Sequence, residues 1–436
     1  MRVASTARAP IALGTYPGLR PRLMIPGGDG REDLNAYEQR SGYAPGLDGE
    51  PLVEAIESAG LRGRGGAAFP TGVKLRSVAG RPGPRYVVAN GEEGEPASVK
   101  DRWLLRARPH LVLDGLLRAA RLVDAERCYV FISDPGSVTS VSAAIDELGE
   151  GAPVPVEVVT TEPRYVAGEE TAVVRAINGG PALPLDKPPR PFESGVAGGP
   201  TLVANVETLA NIPWISRHGS AEYRTAGTER SPGTFLFTVS GACERPGLHE
   251  VPLGVRLGDA LDQLAGPAEA PVGFLMGGFF AGLLGPRAMD ARLAYDELRD
   301  EGSGLGCGAV VVLGPEDCSV AAAADVMDYF EHQNAKQCGA CIRGTAAMRD
   351  TLLAIAGGTA EPPDAERLRR WSMSLRERGA CALLDGAAGL AGSLFREFPE
   401  AVDRHLRDPC PRCAHYGADR SRPESRFALF LEGGFQ

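Results

Sequence analysis

The apolar period of the chain changes repeatedly between residue 52 and about residue 170, and that alternation constrains the fold more than any other feature. Residues 52–61 place apolar side chains at helical spacing, and the Gly-rich run GLRGRGGAAFPTGVKL follows. RYVVAN then reads as a strand that ends in the acidic loop GEEGEP. A second round has a helix over about 111–122, the strands CYVFIS and VPVEVVT, and a helix opening near Glu169. Parallel strands need long crossovers, usually helices, so this order predicts an α/β domain with a largely parallel sheet.

From about residue 233 the texture becomes short β runs and turns, as in TFLFTVSG, which predicts a small α+β module. Beyond Cys318 the segments AAAADVMDYFEHQN, ERLRRWSMSLRERG and GLAGSLFREFPEAVDRHL space their apolar residues by three and four, as in a helical bundle. Residues 1–45 are rich in Pro, Gly and Arg and read as an extended arm. Residues 408–436 hold CPRC among many charges and read as a partly mobile tail. The expected division is therefore 1–45, 46–222, 223–318, 319–407 and 408–436.

Composition narrows the function. A formal net charge of −10 with no basic block gives nucleic acid nothing to bind by counterion release. The longest apolar stretch, 271–286, is short and broken by Gly, so direct membrane insertion is not expected. Nine cysteines, an odd number in a chain this long, fit a reducing cytoplasm better than a disulfide framework. Only four of the 46 basic residues are Lys, at 74, 100, 187 and 336, which makes each a candidate for a point charge with a task.

Three motifs carry chemistry. The run 60–74 has glycines at 60, 63, 65, 66 and 72 and ends in Lys74, which suits either an anion nest or an ordinary Gly-rich turn. NGEEGEP at 90–96 and GEETA at 168–172 put carboxylates at a strand end and a helix start. There they would complement a helix dipole or accept hydrogen bonds from ribose or ribityl hydroxyls. Cys338 and Cys341 form a CxxC with Cys381 further on, a spacing shared by clusters, zinc sites and redox dithiols. Cys410 and Cys413 form a second CxxC, which would complete a site or belong only to the tail. Cys128, Cys243, Cys307 and Cys318 read as small core residues.

In order along the chain, GLRGRGGAAFPTGVK, NGEEGEPASVKDR, YVAGEETA, GGPTLVANVETLANIP, GSGLGCGAVVVL and QCGAC together resemble the flavin-bearing, NADH-oxidising subunit of respiratory complex I. That family is shared with NAD-linked hydrogenases and formate dehydrogenases. The resemblance implies an FMN-binding α/β domain, a β-grasp module of the ubiquitin-like SLBB type, and a helical bundle with one four-iron cluster. It implies an enzyme that passes electrons from NADH, or NADPH, through FMN to the cluster. The onward partner would be a small [2Fe–2S] thioredoxin-like subunit or a ferredoxin. The alternative is a family member that relays electrons or serves as a scaffold without oxidising nicotinamide.

Carried over by motif, Gly63, Arg64, Gly65 and Lys74 match the phosphate loop, and Asn90, Glu92 and Glu93 the loop beside the flavin. Glu95 and Lys187 match contacts to the nicotinamide nucleotide. Gly168, Glu169 and Glu170 match the second flavin loop, and Asn205 and Thr208 match flavin contacts in NVET. Cys338, Cys341 and Cys381 match cluster ligands. Two departures stand out. The family's CxxCxxC has Gly344 at its third Cys, which Cys410 or Cys413 would have to replace. Of the family's adenine-stacking aromatics only Phe69 is kept, with Ser77 and Arg190 at the other two positions.

Overall fold

The computed structural model describes residues 11–25, 30–267 and 269–413. The N-terminal part contains β1 (Ala12–Thr15), α1 (Leu34–Gln39), α2 (Gly49–Ala59), α3 (Thr71–Ala79), β2 (Tyr86–Asn90), α4 (Lys100–Ala107) and α5 (Pro109–Val123). It continues through β3 (Arg127–Ile132), α6 (Pro135–Leu148), β4 (Val156–Thr160), α7 (Glu170–Ile177), β5 (Thr201–Asn205) and α8 (Val206–Tyr223). Strands β2 to β5 form one sheet in the order β4-β3-β2-β5, parallel throughout. Val87, Val88, Ala89 and Val130 are fully buried, which is why these strands read as unbroken apolar runs. Asp48 caps α2 through the amide of Gly49, and Gly60 ends it in a left-handed turn.

The chain then runs through β6 (Thr234–Gly241), β7 (Gly247–Pro252), α9 (Leu257–Ala260), β8 (Gly273–Met276), β9 (Leu283–Leu284), α10 (Tyr295–Asp300) and β10 (Ala309–Leu313). Their sheet has the order β1-β7-β6-β10-β8-β9, with β10 parallel to β6 and antiparallel to β8. A first hairpin whose leading strand pairs in parallel with the last strand is the β-grasp arrangement. The segment expected to be an extended arm joins this sheet: β1 lies parallel to β7. Buried Glu250 of β7 accepts the amides of Arg22, Leu23 and Met24 at 2.9–3.0 Å, which ties the arm down.

The last described part is helical: α11 (Ser319–Gln333), α12 (Gly339–Ala356), α13 (Pro362–Ser374), α14 (Leu383–Glu397) and α15 (Pro399–His405). Val320, Val326, Met327, Met348, Leu352, Leu384 and Leu394 meet in its core. The segment read as a tail is described only to residue 413, and residues 414–436 lie outside the described residues, as do 1–10 of the arm. No described helix is long and apolar enough to cross a membrane.

Candidate functional site

Strand order places the site. The chain leaves β2 toward β3 and β4 on one side, then returns to lay β5 on the other, so β2 and β5 flank the point where the winding reverses. Such switch points open a crevice beyond the carboxyl ends of the strands. Here those ends are Asn90 and Asn205, paired in register. Asn205 also caps α8, accepting the amide of Glu207 at 3.0 Å.

The Gly-rich loop closes one wall of the crevice. The amide of Arg64 donates to Thr208 Oγ1 at 2.8 Å, and a Cβ on Gly65 would come within 3.3 Å of Asn205 Cβ. Gly66 has a φ of 114°, a conformation open to Gly and strained for any other residue. The amides of Gly65, Gly66 and Ala67 have no partner among the described residues. Lys74 stands in α3, its Nζ 2.6 Å from the Val203 carbonyl and 3.4 Å from Glu170. Free amides, a compact cation and a wall kept clear by Gly make a donor set that fits a phosphate-bearing flavin.

The opposite wall is acidic. Asn90 donates to the Gly168 carbonyl at 2.8 Å, and a Cβ on Gly168 would come within 3.0 Å of the Glu92 carbonyl oxygen. Glu92 is 6% exposed, and its Oε2 has no partner. Burial pushes its carboxyl up to about 7, against bonds from Ser133 and the Arg164 amide. An unpartnered buried acceptor beside the crevice suits a ligand hydroxyl. Glu169 caps α7 and takes Lys187 Nζ at 2.6 Å, while Glu170 lies 3.6 Å from the same ammonium.

Two of the predicted acids face inward. Glu93 is bonded to Ser98 Oγ at 2.6 Å and paired with Arg102 at 3.0 Å. Glu95 packs beneath Gly278, where a Cβ would come within 2.4 Å of its Cδ. Burial raises Glu95 to about 8, with the amides of Phe279 and Ala97 opposing. Arg64 is corrected in part: its guanidinium is 2% exposed and donates to Tyr295 Oη at 2.6 Å and Tyr223 Oη at 3.1 Å. Only its backbone belongs to the loop. Ser77 is half-buried, Arg190 is exposed, and Phe69 is 51% exposed.

Lys100, singled out in the sequence by its rarity but given no role there, lies fully buried under the crevice. Its Nζ is 2.6 Å from Asp101, 3.0 Å from Glu207 and 3.2 Å from Asn205 Oδ1. Burial alone would lower its pKa, but Asp101, Glu207 and Glu93 outweigh that and hold it above its ordinary value. Its rarity in an Arg-rich chain was the available signal.

Cys338, Cys341 and Cys381 line one cavity with Pro184, Lys336 and Gly379. Cys338 Sγ accepts the Ala380 amide at 3.4 Å. Burial pushes Cys341 up to about 12, with Cys381 and Cys338 adding to it, so a bound metal is what makes this thiol a thiolate. Three soft donors on one cavity fit an iron–sulfur cluster. A Cβ at Gly344 would meet Leu375 Cδ1 at 2.8 Å, so Leu375 occupies the space beside the position of the family's third Cys. The cavity adjoins the acidic wall: Gln337 bonds to the Pro184 carbonyl at 2.7 Å, and Glu169 and Lys187 act on Cys381.

Cys410 and Cys413 do not complete that set. They meet Cys318 and His405 elsewhere, with all four ligand atoms within 4.8 Å of one another. Cys318 is thus more than a core residue, a correction its apolar neighbours concealed. Cys128 and Cys243 keep the packing role, burial pushing them up to about 12 and about 11.

A parallel-sheet flavin cleft, a β-grasp module and a thiol-bearing bundle define a flavin and iron–sulfur electron-transfer protein. Comparison agrees part by part: the Nuo51 FMN-binding domain matches residues 56–214, the SLBB domain 236–274, and the NADH-ubiquinone oxidoreductase-F iron–sulfur binding region 321–405. The second F-type subunit of the NADH-quinone oxidoreductase of Rhizobium meliloti (strain 1021) is 34% identical over 402 residues, spanning 87% of this chain and 96% of that protein. Its counterpart in Aquifex aeolicus (strain VF5) is 32% identical, with 86% and 91% covered. An NAD+-reducing [NiFe]-hydrogenase in its air-oxidized state superposes with a TM-score of 0.77 at 32% identity over 82% of this chain. This chain spans 63% of that hydrogenase chain. The chain belongs to the family of F-type, NADH-oxidising subunits of the NADH-quinone oxidoreductases.

Proposed function

We propose that this chain oxidises NADH, with NADPH the competing donor, and delivers the electrons singly to a cluster on Cys338, Cys341 and Cys381. The chemistry supplied by bound FMN is hydride acceptance followed by release of single electrons. The protein's part is to bind, orient and insulate. Amides 65–67 and Lys74 hold the phosphate, Asn90 and Glu92 meet ribityl hydroxyls, and Asn205 and Thr208 brace the loop. Gly168 leaves room for the ring, with Glu169 and Glu170 alongside. Lys187 stands on the nucleotide side, while Glu95, matched by motif to a nucleotide contact, is held inward beneath Gly278. Onward transfer goes to an iron–sulfur partner, a small [2Fe–2S] thioredoxin-like subunit or a ferredoxin, in a reducing cytoplasm where all nine cysteines stay free of disulfides.

The observation that carries this reading is the convergence, at the β2/β5 switch point, of free amides, a cation and an unpartnered buried carboxylate next to a three-thiol cavity. Anaerobic stopped-flow absorbance of the FMN-loaded chain tests it. NADH should bleach the flavin faster than NADPH, since NADH is the donor for which the F-type NADH-quinone oxidoreductase relatives are named. Flavin that dithionite reduces and neither nucleotide reduces would put the relay reading in its place.

A further inference from the structure

The second cysteine cluster lies apart from the electron path, and its geometry is that of a single ion. His405 Nδ1 is 2.7 Å from the Ala401 carbonyl, a bond that fixes the proton on Nδ1. The Nε2 lone pair then faces sulfur on two sides, at 3.3 Å from Cys318 Sγ and 3.3 Å from Cys413 Sγ. An imidazole anchored through its far nitrogen to a carbonyl is the usual arrangement of a metal ligand. Cys410 joins through a short turn, Pro411–Cys413, in which the Cys413 amide bonds to the Cys410 carbonyl at 3.0 Å. Cys318, His405 and Cys413 are 7%, 4% and 7% exposed.

We infer that Cys318, His405, Cys410 and Cys413 form a structural zinc site that closes the helical bundle. Tetrahedral zinc, with Zn–S near 2.3 Å and Zn–N near 2.0 Å, keeps its donors about 3.5–3.8 Å apart. All four donor atoms already lie within 4.8 Å of one another. A four-iron cluster sets its own irons and sulfides between the thiolates and needs them spread wider. Three thiolates and an imidazole fill a tetrahedron and leave no open position, which marks a structural centre. Three of the four donors also fall outside the region 321–405 that matches the family's iron–sulfur binding region.

The site joins chain positions that lie far apart in the sequence. Cys318 caps α11 at the exit from the β-grasp module, His405 is the last residue of α15, and Cys410 and Cys413 follow that helix. Arg412 adds one bond to the Asp317 carbonyl at 3.3 Å. An ion here fixes the last described turn of the chain to the first residue of the bundle.

The test is metal and sulfide analysis of the full chain purified anaerobically, with X-ray absorption at the zinc edge. About one zinc per chain is expected, with three sulfurs near 2.3 Å and one nitrogen near 2.0 Å. Cys410→Ser and Cys413→Ser should lose zinc and keep acid-labile sulfide, whereas Cys338→Ser should lose sulfide and keep zinc. Cys410 is only half-buried, so its variant is the gentler of the pair, and the absorption measurement needs no variant at all. Zinc-free protein from zinc-supplied cells, a Cys318–Cys413 disulfide in the anaerobic chain, or sulfide lost with Cys413→Ser would each overturn the site. None of these outcomes bears on flavin reduction by NADH.

Discussion

Asn90 and Asn205 stand opposite each other at the carboxyl ends of two adjacent parallel strands, and Asn205 Nδ2 reaches Asp101 at 2.7 Å. One side chain therefore links the mouth of the crevice to the buried charges beneath it. Through Asn205 Oδ1, Lys100 reaches the same group, and Glu207 connects onward by accepting the Leu236 amide of β6 at 3.0 Å. The floor of the flavin cleft and the β-grasp module thus share a hydrogen-bonded frame.

Lys74, in α3 after the Gly-rich loop, is the cation assigned to the proposed phosphate site. Replacing it with Ala removes a charge-assisted bond of about 1.5–3 kcal/mol, so FMN should bind roughly tenfold to a hundredfold more weakly. Fluorescence titration of the flavin-free chain measures this. Unchanged affinity in a folded Lys74→Ala variant would take Lys74 out of the phosphate site.

The crossing of α5 and α8 depends on one missing side chain. A Cβ on Gly115 would lie 2.0 Å from the Leu209 carbonyl oxygen and 2.5 Å from its carbon, both backbone atoms that cannot rotate away. Gly115→Ala should therefore cost about 3 kcal/mol by forcing the helices apart, although Ala is the better helix former. Urea denaturation should show the loss. A gain of stability would mean that the pair separates freely.

The sequence showed most clearly what depended on neighbours in the chain. RYVVAN and CYVFIS announced buried parallel strands because both faces of each are covered, and the bundle helices kept their three-and-four spacing. Helix α4 was hidden because KDRWLLRA looks solvated, yet Lys100 and Asp101 neutralise each other inside the protein. Strand β1 is too short to signal itself, and its partners lie more than 230 residues away. Cys318 looked like a core residue for the same reason: its partners begin 87 positions later. The direction of the Arg64 side chain could not be read from GRGG, since Tyr295 and Thr234 decide it.

Burial of Glu92 makes stability depend on pH with a definite sign. Its carboxyl rises from the ordinary value of 4.5 to about 7, chiefly by desolvation, so the folded chain holds a proton that the unfolded chain releases. The associated stability is fully present below about 4.5 and is lost as pH rises through 7. At about 1.4 kcal/mol per pH unit, the loss approaches 3 kcal/mol by pH 8. Glu92→Gln in the flavin-free chain should gain about that much over the parent at pH 8 and differ little at pH 4.5. Equal gains at both values would show that the carboxyl is already ionised in the fold.

With Cys338, Cys341 and Cys381 as the proposed ligands, one corner of a four-iron cluster would lack a protein ligand and should be labile. Cys338, Cys341 and Gly344 follow at intervals of three from the start of α12, so all three lie along one helix face. A thiol at 344 would therefore stand beside the other two if Leu375, whose Cδ1 occupies the space, were trimmed. The double variant Gly344→Cys, Leu375→Ala should keep its iron and sulfide on brief exposure to air, while the parent chain loses iron first. Iron-to-sulfide ratios over a time course measure the difference. The single variant Gly344→Cys separates the two effects, because Leu375 has to move before the new thiol can enter and protection should be partial. Identical iron loss in the parent and the double variant would show that the corner already has a protein ligand.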